Sequence, residues 1–412
     1  MIATPYLIGA LDIGSTKTCA VIGELILEDD GPPQVKVLGV GQVKPSGIRR
    51  DAVSNLEETT DEIRQALKQA ELMAGIQPRG LYVGISAEYV QTSTSNGVVA
   101  IGGDEISEHD IERVHEVARA VVVPPDKELL HVIPQDYSVD HRGGIQQPVG
   151  MLGTRLEADV FMVLASGAAA RNLRKAVTRA GYEVAQLVLT PLAAGLSVLT
   201  AEEREVGAAV VAIGGRTTEI AVFHEGKIRH VGIVPCGGVS FTNDLVKGLG
   251  IPYAEAERVK ERHGVATIQM VDPDQSIEVP GPAPGARKHM PRELLAHIIE
   301  QRMDEILTLV LHEIDRAGYA HRLGGGVVLT GGGASLDGTL DVAQTIFSMP
   351  VRCGAPGAGL TGLADSVRRP KFATAAGLML FGVGRIREDL GNGRGPTLRA
   401  LSKVGGWLKE FF

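Results

Sequence analysis

Cysteine is scarce in this chain: 3 in 412 residues, and Cys19, Cys236 and Cys353 lie far apart with no C-x-x-C pair. That spacing argues against a disulfide framework or a zinc site, and a reducing compartment is the simplest setting. Cys19 falls within an apolar run and is expected as buried packing, not as a nucleophile. Aromatics make up only 4% of the residues, so the core must be built from Val, Ile, Leu and Ala. Positive charge is not in excess; the formal net charge is −8. No nucleic-acid partner is expected, because such binding needs a basic face to displace counterions. No apolar run reaches the roughly 20 residues of a spanning helix. The N-terminus shows no charged stretch followed by an apolar run and a small-residue cleavage site, so no signal peptide is expected. The expectation is a cytoplasmic protein that meets a membrane, if at all, from its surface.

What is present is ordinary in bulk, with 44% hydrophobic and 22% charged residues, and long enough for two or more domains. Residues 6–13 and 18–25 are apolar runs around Gly14-Ser15-Thr16-Lys17, which predicts a β-hairpin with a tight polar turn. A strand follows at 35–41. Leu56, Ile63, Leu67 and Ala70 recur near the helical period, predicting a helix over 55–74 capped by Asn55 or Ser54. Strands at 81–86 and 96–101, a helix near 107–121 and extended segments at 131–139 and 157–165 carry their own turns and could form an inserted subdomain. A helix at 168–180 and a strand at 184–189 come next. The hairpin pattern then repeats, with 208–213 and 219–224 around Gly214-Gly215-Arg216-Thr217-Thr218, a weak internal duplication. Residues 273–291 are rich in Pro and Gly and are expected to be loop. Residues 292–317 read as one amphipathic helix.

Two glycine turns and one glycine strand end carry the chemistry. A turn of small residues lets backbone amides approach a phosphate, and Ser15, Thr16 and Lys17 add donors and a positive charge. Asp12 at the strand end can hold a hydrated Mg2+. An ordinary hairpin turn is the competing reading. Val327–Thr330 leads into Gly331, Gly332 and Gly333, where an adenine or ribose could lie on bare backbone, or where the chain simply turns into a helix. Lys260 and Glu261 end a charged helix that alone would be a solvated face.

The last residues form a third feature. Leu398, Leu401, Val404, Leu408, Phe411 and Phe412 recur every three to four positions, bordered by Arg399, Lys403 and Lys409. Trp407 suits headgroup depth, so the pattern describes a helix lying on an anionic membrane surface. A helix docked on the protein's own core has the same pattern; the Gly-rich tether at 391–397 favours the membrane. One short helix binds reversibly, so stable attachment needs several copies, as in a polymer.

The order of hairpin, second hairpin, Lys-Glu helix and Thr-Gly-Gly-Gly strand resembles the actin/Hsp70/sugar-kinase superfamily. Within it the chain is most similar to the FtsA family of bacterial cell-division proteins. The resemblance runs over essentially all 412 residues and is most specific at AEAERVKERHG (254–264), VVLTGGGA (327–334), VRCGAP (351–356), FATAAG (372–377) and the terminal helix.

The resemblance implies an α/β, actin-like two-domain fold with an inserted subdomain and a C-terminal amphipathic helix. Subdomain IA would take 1–82 and 375–390, the insert 1C 83–163, IIA 164–243 and 327–374, and IIB 244–326. The tether is then 391–397 and the membrane helix 398–412. Gly14, Ser15, Thr16 and Lys17 would form the first phosphate loop, Gly214, Gly215, Thr217 and Thr218 the second. Lys260 and Glu261 would face the ribose or base and Gly331 to Gly333 the adenosine, with ATP and Mg2+ as ligands.

Family function would be a peripheral adaptor on the cytoplasmic face of the cell membrane at the division site. It would tether the FtsZ ring, recruit other division proteins and self-associate into filaments. Arg292 and Arg302 match positions that would meet the acidic FtsZ C-terminal tail. One departure stands out: the second loop begins with Ala212 where the superfamily has Asp, and Arg216 replaces a glycine. With no acidic group or Gln along 189–196 to position a water, weak or absent ATP hydrolysis is expected. The alternatives are a pilus-assembly adaptor of the same fold, which normally lacks the tethered tail, a small-molecule kinase, which has no use for it, and a chaperone ATPase, for which a substrate-binding domain is expected after Arg385 and none is read.

Overall fold

The computed structural model describes residues 6–27, 33–49, 52–281 and 286–391; the predicted membrane helix and residues 392–397 of its tether lie outside them. β1 (Leu7–Ile13) and β2 (Thr18–Ile26) form the expected antiparallel hairpin, and β3 (Gln34–Val43) extends it. The short pair β4 (Ile48–Arg49) and β5 (Ala52–Val53) leads into α1 (Leu56–Ala74). Asn55 caps α1 by accepting from the amides of Glu57 and Glu58, two donors that a helix start otherwise leaves without partners. The helix buries Ile63, Ala66, Leu67 and Ala70 close on β3. A Cβ at Gly39 or Gly41 would lie 2.1 Å from the Ala70 carbonyl or 1.9 Å from that of Ala66, so bare backbone sets this approach. β6 (Gly80–Ile85) then runs parallel to β1.

Next come β7 (Val90–Ala100), α2 (Glu108–Arg119), β8 (Lys127–Val139), β9 (Arg142–Ile145) and β10 (Arg155–Ser166). They form a separate four-stranded sheet, order β7-β10-β8-β9, with α2 against β7 and β10. Ser107 and Asp110 close a capping box at the start of α2. β9 departs from the expected Gly143-Gly144 turn: Asp140 and His141 adopt positive φ (47° and 68°) and fold the chain back onto β8.

α3 (Gly167–Ala180) and β11 (Glu183–Leu189) return the chain to the first sheet beside β6. The four-stranded sheet is therefore an insertion between neighbouring strands. α4 (Thr190–Val198) and α5 (Ala201–Val206) lead to β12 (Ala208–Ile213), β13 (Thr218–His224) and β14 (Lys227–Val234). A helical lobe follows, with α6 (Gly238–Leu249), α7 (Tyr253–His263), the pair β15 (Ser276–Pro280) and β16 (Arg287–Pro291), and α8 (Arg292–Arg316). Residues 273–291 are thus not all loop. Ile277 and Val279 alternate with exposed neighbours and are buried, and Pro280 and Pro291 sit at strand ends, where a missing amide is tolerated.

β17 (Val327–Thr330), α9 (Thr339–Phe347), β18 (Val351–Cys353), β19 (Leu360–Gly362) and α10 (Ala373–Gly391) complete the described chain. The first sheet has the order β11-β6-β1-β2-β3-β19 and the second β14-β13-β12-β17-β18. Each holds an antiparallel meander (β1-β2-β3, β12-β13-β14) with two parallel strands added on the side of its first strand (β6 and β11, β17 and β18). The internal repeat seen in the sequence is a repeat of topology, and the mixed α/β layers are those of an actin-like fold. One buried cluster spans both halves through Leu192, Ala193 and Leu196 of α4 and Ala375, Leu378 and Met379 of α10. Among the described residues no helix is long and apolar enough to cross a membrane.

Candidate functional site

Both hairpin turns close the same way. Gly14 N–H donates to the Lys17 carbonyl at 3.0 Å and Gly214 N–H to the Thr217 carbonyl at 2.9 Å. The turns face one another: a Cβ on Gly215 would lie 2.4 Å from Thr16 Cγ2 and 2.9 Å from Ser15 Oγ. The second turn is seated on the start of α6, whose Gly238 and Val239 amides donate to the Gly214 and Gly215 carbonyls at 2.9 and 2.6 Å. Thr218 Oγ1 donates to the Cys236 carbonyl at 2.9 Å. Arg216 is exposed.

Around the first turn, Lys17 Nζ stands 3.6 Å from Asp12 and 4.8 Å from the centre of the Phe372 ring, and donates to the Lys371 carbonyl. The ammonium of Lys371 lies 5.0 Å over the same ring. Burial, then Lys17, lower the Lys371 pKa, while Glu261 opposes that shift. The Pro370–Phe372 segment is tied to the end of β17: the Gly331 amide donates to the Pro370 carbonyl at 3.2 Å, and Thr330 Oγ1 is directed at the carbonyls of Gly354 and Pro370. Gly331 has φ +84°, and a Cβ there would lie 2.5 Å from the Ile213 carbonyl; Gly332 meets nothing within 4 Å. Lys260 Nζ donates to the Gly238 carbonyl (3.0 Å), Thr242 Oγ1 (2.8 Å) and the Glu257 carboxylate, bracing the helix start beneath the second turn.

Asp12, Gly14 to Lys17, Gly214, Gly215, Thr217, Thr218 and Gly331 to Gly333 thus converge on one cleft, with Lys260 behind it, while Glu261 is exposed on α7. The surroundings fit a polyphosphate. Two small-residue turns meet with bare Gly215 backbone against the Thr16 and Ser15 side chains, Ser15 Oγ is buried without a hydrogen-bond partner, and two ammonium groups share one ring. They fit a cation less fully. Among the described residues no group of three His, Cys, Asp or Glu could hold a metal, so Asp12 would be its single carboxylate, as befits an ion that keeps most of its water. Cys19 is fully buried, and burial pushes its thiol up to about 11: it is packing, as expected.

Glu219 went unrecognised in the sequence. It pairs across the hairpin with Ala212, as Cys19 pairs with Asp12 in the first, so each hairpin carries one acid near its turn, on opposite strands. Its carboxylate accepts from Thr190 Oγ1 (2.6 Å), Ser86 Oγ (2.7 Å) and the Ala87 amide (2.8 Å). No short-range pattern reveals it; an acid beside the apolar run Ile220–Phe223 is the hint the sequence offers.

Arg292 and Arg302 lie away from the cleft on α8. Arg292 donates to the His263 carbonyl at 2.9 Å and to Gln275 at 2.8 Å. Arg302 forks onto Asp244 of α6 and also meets Glu305. It lines a groove of roughly 660 Å3 with His297, Gln301, Glu305 and Leu309. An acidic peptide there would compete with Asp244 for the guanidinium. The predicted membrane residues Leu398, Leu401, Lys403, Val404, Trp407, Leu408, Phe411 and Phe412 lie outside the described residues.

Comparison with known proteins places this geometry. The profile of cell division protein FtsA matches residues 209–377, and that of the SHS2 domain inserted in FtsA matches 87–164. The cell division protein FtsA of Pseudomonas aeruginosa is 40% identical over 384 residues, covering 93% of this chain and 91% of that protein. Among solved structures, the PilM–PilN type IV pilus biogenesis complex is similar with TM-score 0.63 at 18% identity, over 91% of this chain and 98% of that one. MreB5 of Spiroplasma citri bound to AMPPNP is similar with TM-score 0.54 at 14% identity, over 95% of this chain and 100% of that one. These two share the actin-like fold. Sequence identity across nearly the whole chain decides the family, and the chain belongs to the FtsA family of cell division proteins.

Proposed function

We propose that the chain is an ATP-binding adaptor that tethers the FtsZ ring to the cytoplasmic face of the cell membrane at the division site. The observation that carries the nucleotide part is the apposition of two equivalent turns, Gly14–Lys17 and Gly214–Thr218, from topologically matching sheets. Their amides, the Ser15 hydroxyl and the ammonium groups of Lys17 and Lys371 would hold the phosphates. Asp12 would hold the Mg2+, Gly331 to Gly333 would receive the adenosine, and Lys260 and Glu261 would border it. Bound ATP would supply a ligand spanning both turns. Hydrolysis would be slow or absent: Ala212 offers no carboxylate, and the nearby Glu219 already accepts from three donors instead of orienting a water.

The division into IA, 1C, IIA and IIB belongs to the same proposal, with one correction to the boundaries expected from the sequence: α3, β11 and β19 pair with or pack on the first sheet, so 167–189 and 360–362 go with IA and not with IIA. The IIB groove beside Arg302, with Arg292, would take the acidic FtsZ tail. The terminal helix would bind anionic lipid, filaments would supply the many copies that make binding stable, and the assembled protein would recruit other division proteins. The test of the nucleotide site is calorimetric titration of the full chain with ATP and Mg2+. Saturable binding with phosphate release far slower than exchange is expected. Absence of binding up to about 1 mM, weaker than about −4 kcal/mol, overturns it.

A further inference from the structure

The β13–β14 hairpin runs from the second turn to the inserted sheet. Its base, Thr218 opposite Val234, continues directly from Thr217. Its tip turns at Glu225 and Gly226, both at positive φ (54° and 73°), the tight form that suits twisted strands. At about 3.4 Å per residue the hairpin is roughly 20 Å long. Both ends hold the insertion. At the base, Glu219 accepts from Ser86 Oγ and the Ala87 amide, where the chain leaves β6 for the inserted sheet. At the tip, Arg229 donates to Asp136 of β8 through Nη1 (2.6 Å) and Nη2 (3.4 Å). Lys227 donates to the Gln135 carbonyl and stands 3.6 Å from Asp136.

The Arg229 and Lys227 side chains are only 11% and 12% exposed and that of Asp136 35%, so the pair is screened less than a fully exposed one; Arg229 Nη2 also donates to Glu225 at 2.5 Å. Burial works against the charge on Asp136, yet Arg229 and then Lys227 hold its carboxyl below the usual range. Next to the tip, the paired Phe223 and Ile228 share one buried cluster with Ala87, Ile133 and Phe161 of the insertion. By chain connection the inserted sheet belongs to the first half. It packs on that half as well, through Arg174 of α3 on Glu128 and the Leu189 amide on His131, and the hairpin adds ties from the second.

We infer that the β13–β14 hairpin is a lever through which closure of the second turn on a nucleotide moves the inserted subdomain. A hydrogen-bonded strand pair shifts as a unit, and rigid elements of this kind carry coupling between sites. The inference rests on the nucleotide reading above. It makes the Asp136 segment of β8, about 20 Å from the turn by strand length, the reporter of nucleotide state.

Hydrogen exchange of the full chain with and without ATP tests it, comparing wild type with Arg229→Ala. Wild type should change protection in β8 and β10 when ATP binds. The variant should bind ATP within about twofold of wild type, the usual limit for distant sites. It should lose the ATP-dependent change and exchange about tenfold faster in β8 without nucleotide, as loss of a charged hydrogen bond implies. Should Arg229→Ala misfold, Asp136→Asn keeps the shape, removes the charge and carries the same expectation. An ATP response in the folded variant equal to that of wild type, or ATP binding by wild type with no response in the insertion, overturns the lever and leaves the nucleotide reading standing. Failure of wild type to bind ATP overturns both.

Discussion

Gly215 is where the two turns meet, and enlarging it by one methyl group probes their apposition. A Cβ there would lie 2.4 Å from Thr16 Cγ2, 2.7 Å from Thr16 Oγ1 and 2.9 Å from Ser15 Oγ. Both branches of Thr16 and the Ser15 hydroxyl crowd the same point, so turning Thr16 alone does not clear it. Gly215→Ala must therefore part the turns by about 1 Å to restore an ordinary contact of ~3.5 Å. Overpacking on this scale costs about 1–3 kcal/mol. Amides set to meet a phosphate from both sides tolerate little of that displacement. The expected loss of ATP affinity is about 10- to 100-fold, or roughly 1.4–2.8 kcal/mol. Calorimetric titration measures it, with thermal melting to show that the fold persists. Gly102→Ala is the control, since a Cβ there meets nothing within 4 Å. Wild-type ATP affinity in Gly215→Ala would refute the reasoning, because the turns would then not close on the ligand.

Lys260→Ala removes the ammonium that joins Gly238, Thr242 and Glu257; ATP binding should weaken about tenfold through loosening of the second turn's seat, and the same titration checks it. Ser107→Ala breaks the capping box of α2 and should cost about 1 kcal/mol, read as faster hydrogen exchange confined to the inserted sheet and α2. His131 is held neutral: burial first, then Arg385, lowers its pKa to about 3, and Nε2 accepts from the Leu189 amide at 3.1 Å. Because the folded value lies below the unfolded value of about 6.5, this contribution to stability is complete above pH 6.5. It is lost as pH falls toward 3, at up to about 1.4 kcal/mol per pH unit. His131→Gln should flatten that part of the unfolding-midpoint profile between pH 6.5 and 5; an unchanged slope would show that His131 does not cause it.

The parts of the fold legible in the sequence are those fixed by short-range chemistry. The two hairpins declare themselves because a tight Gly turn and its flanking strands lie within 20 residues. The helices α1, α2 and α8 declare themselves through spacing, and the first two also through their cap residues. The β15–β16 pair was hidden because Pro and Gly dominate the composition while only Ile277 and Val279 carry the alternation. What stayed illegible in the site depends on long-range partners. Glu219 meets Ser86 and Ala87 from more than 130 residues away, and Lys371 reaches the first turn across 354 positions. The ion pair of Arg302 with Asp244, 58 residues upstream, changes how that arginine could greet an acidic peptide, and no spacing rule announces it.

The reading as a membrane tether turns on residues 398–412, beyond the described structure, and it can be tested without knowing their conformation. Flotation with vesicles containing anionic lipid should lift the full chain and leave behind a chain ending at Gly395. If neither floats, or both float equally, the terminal helix is not the anchor, and a tether built on it is contradicted.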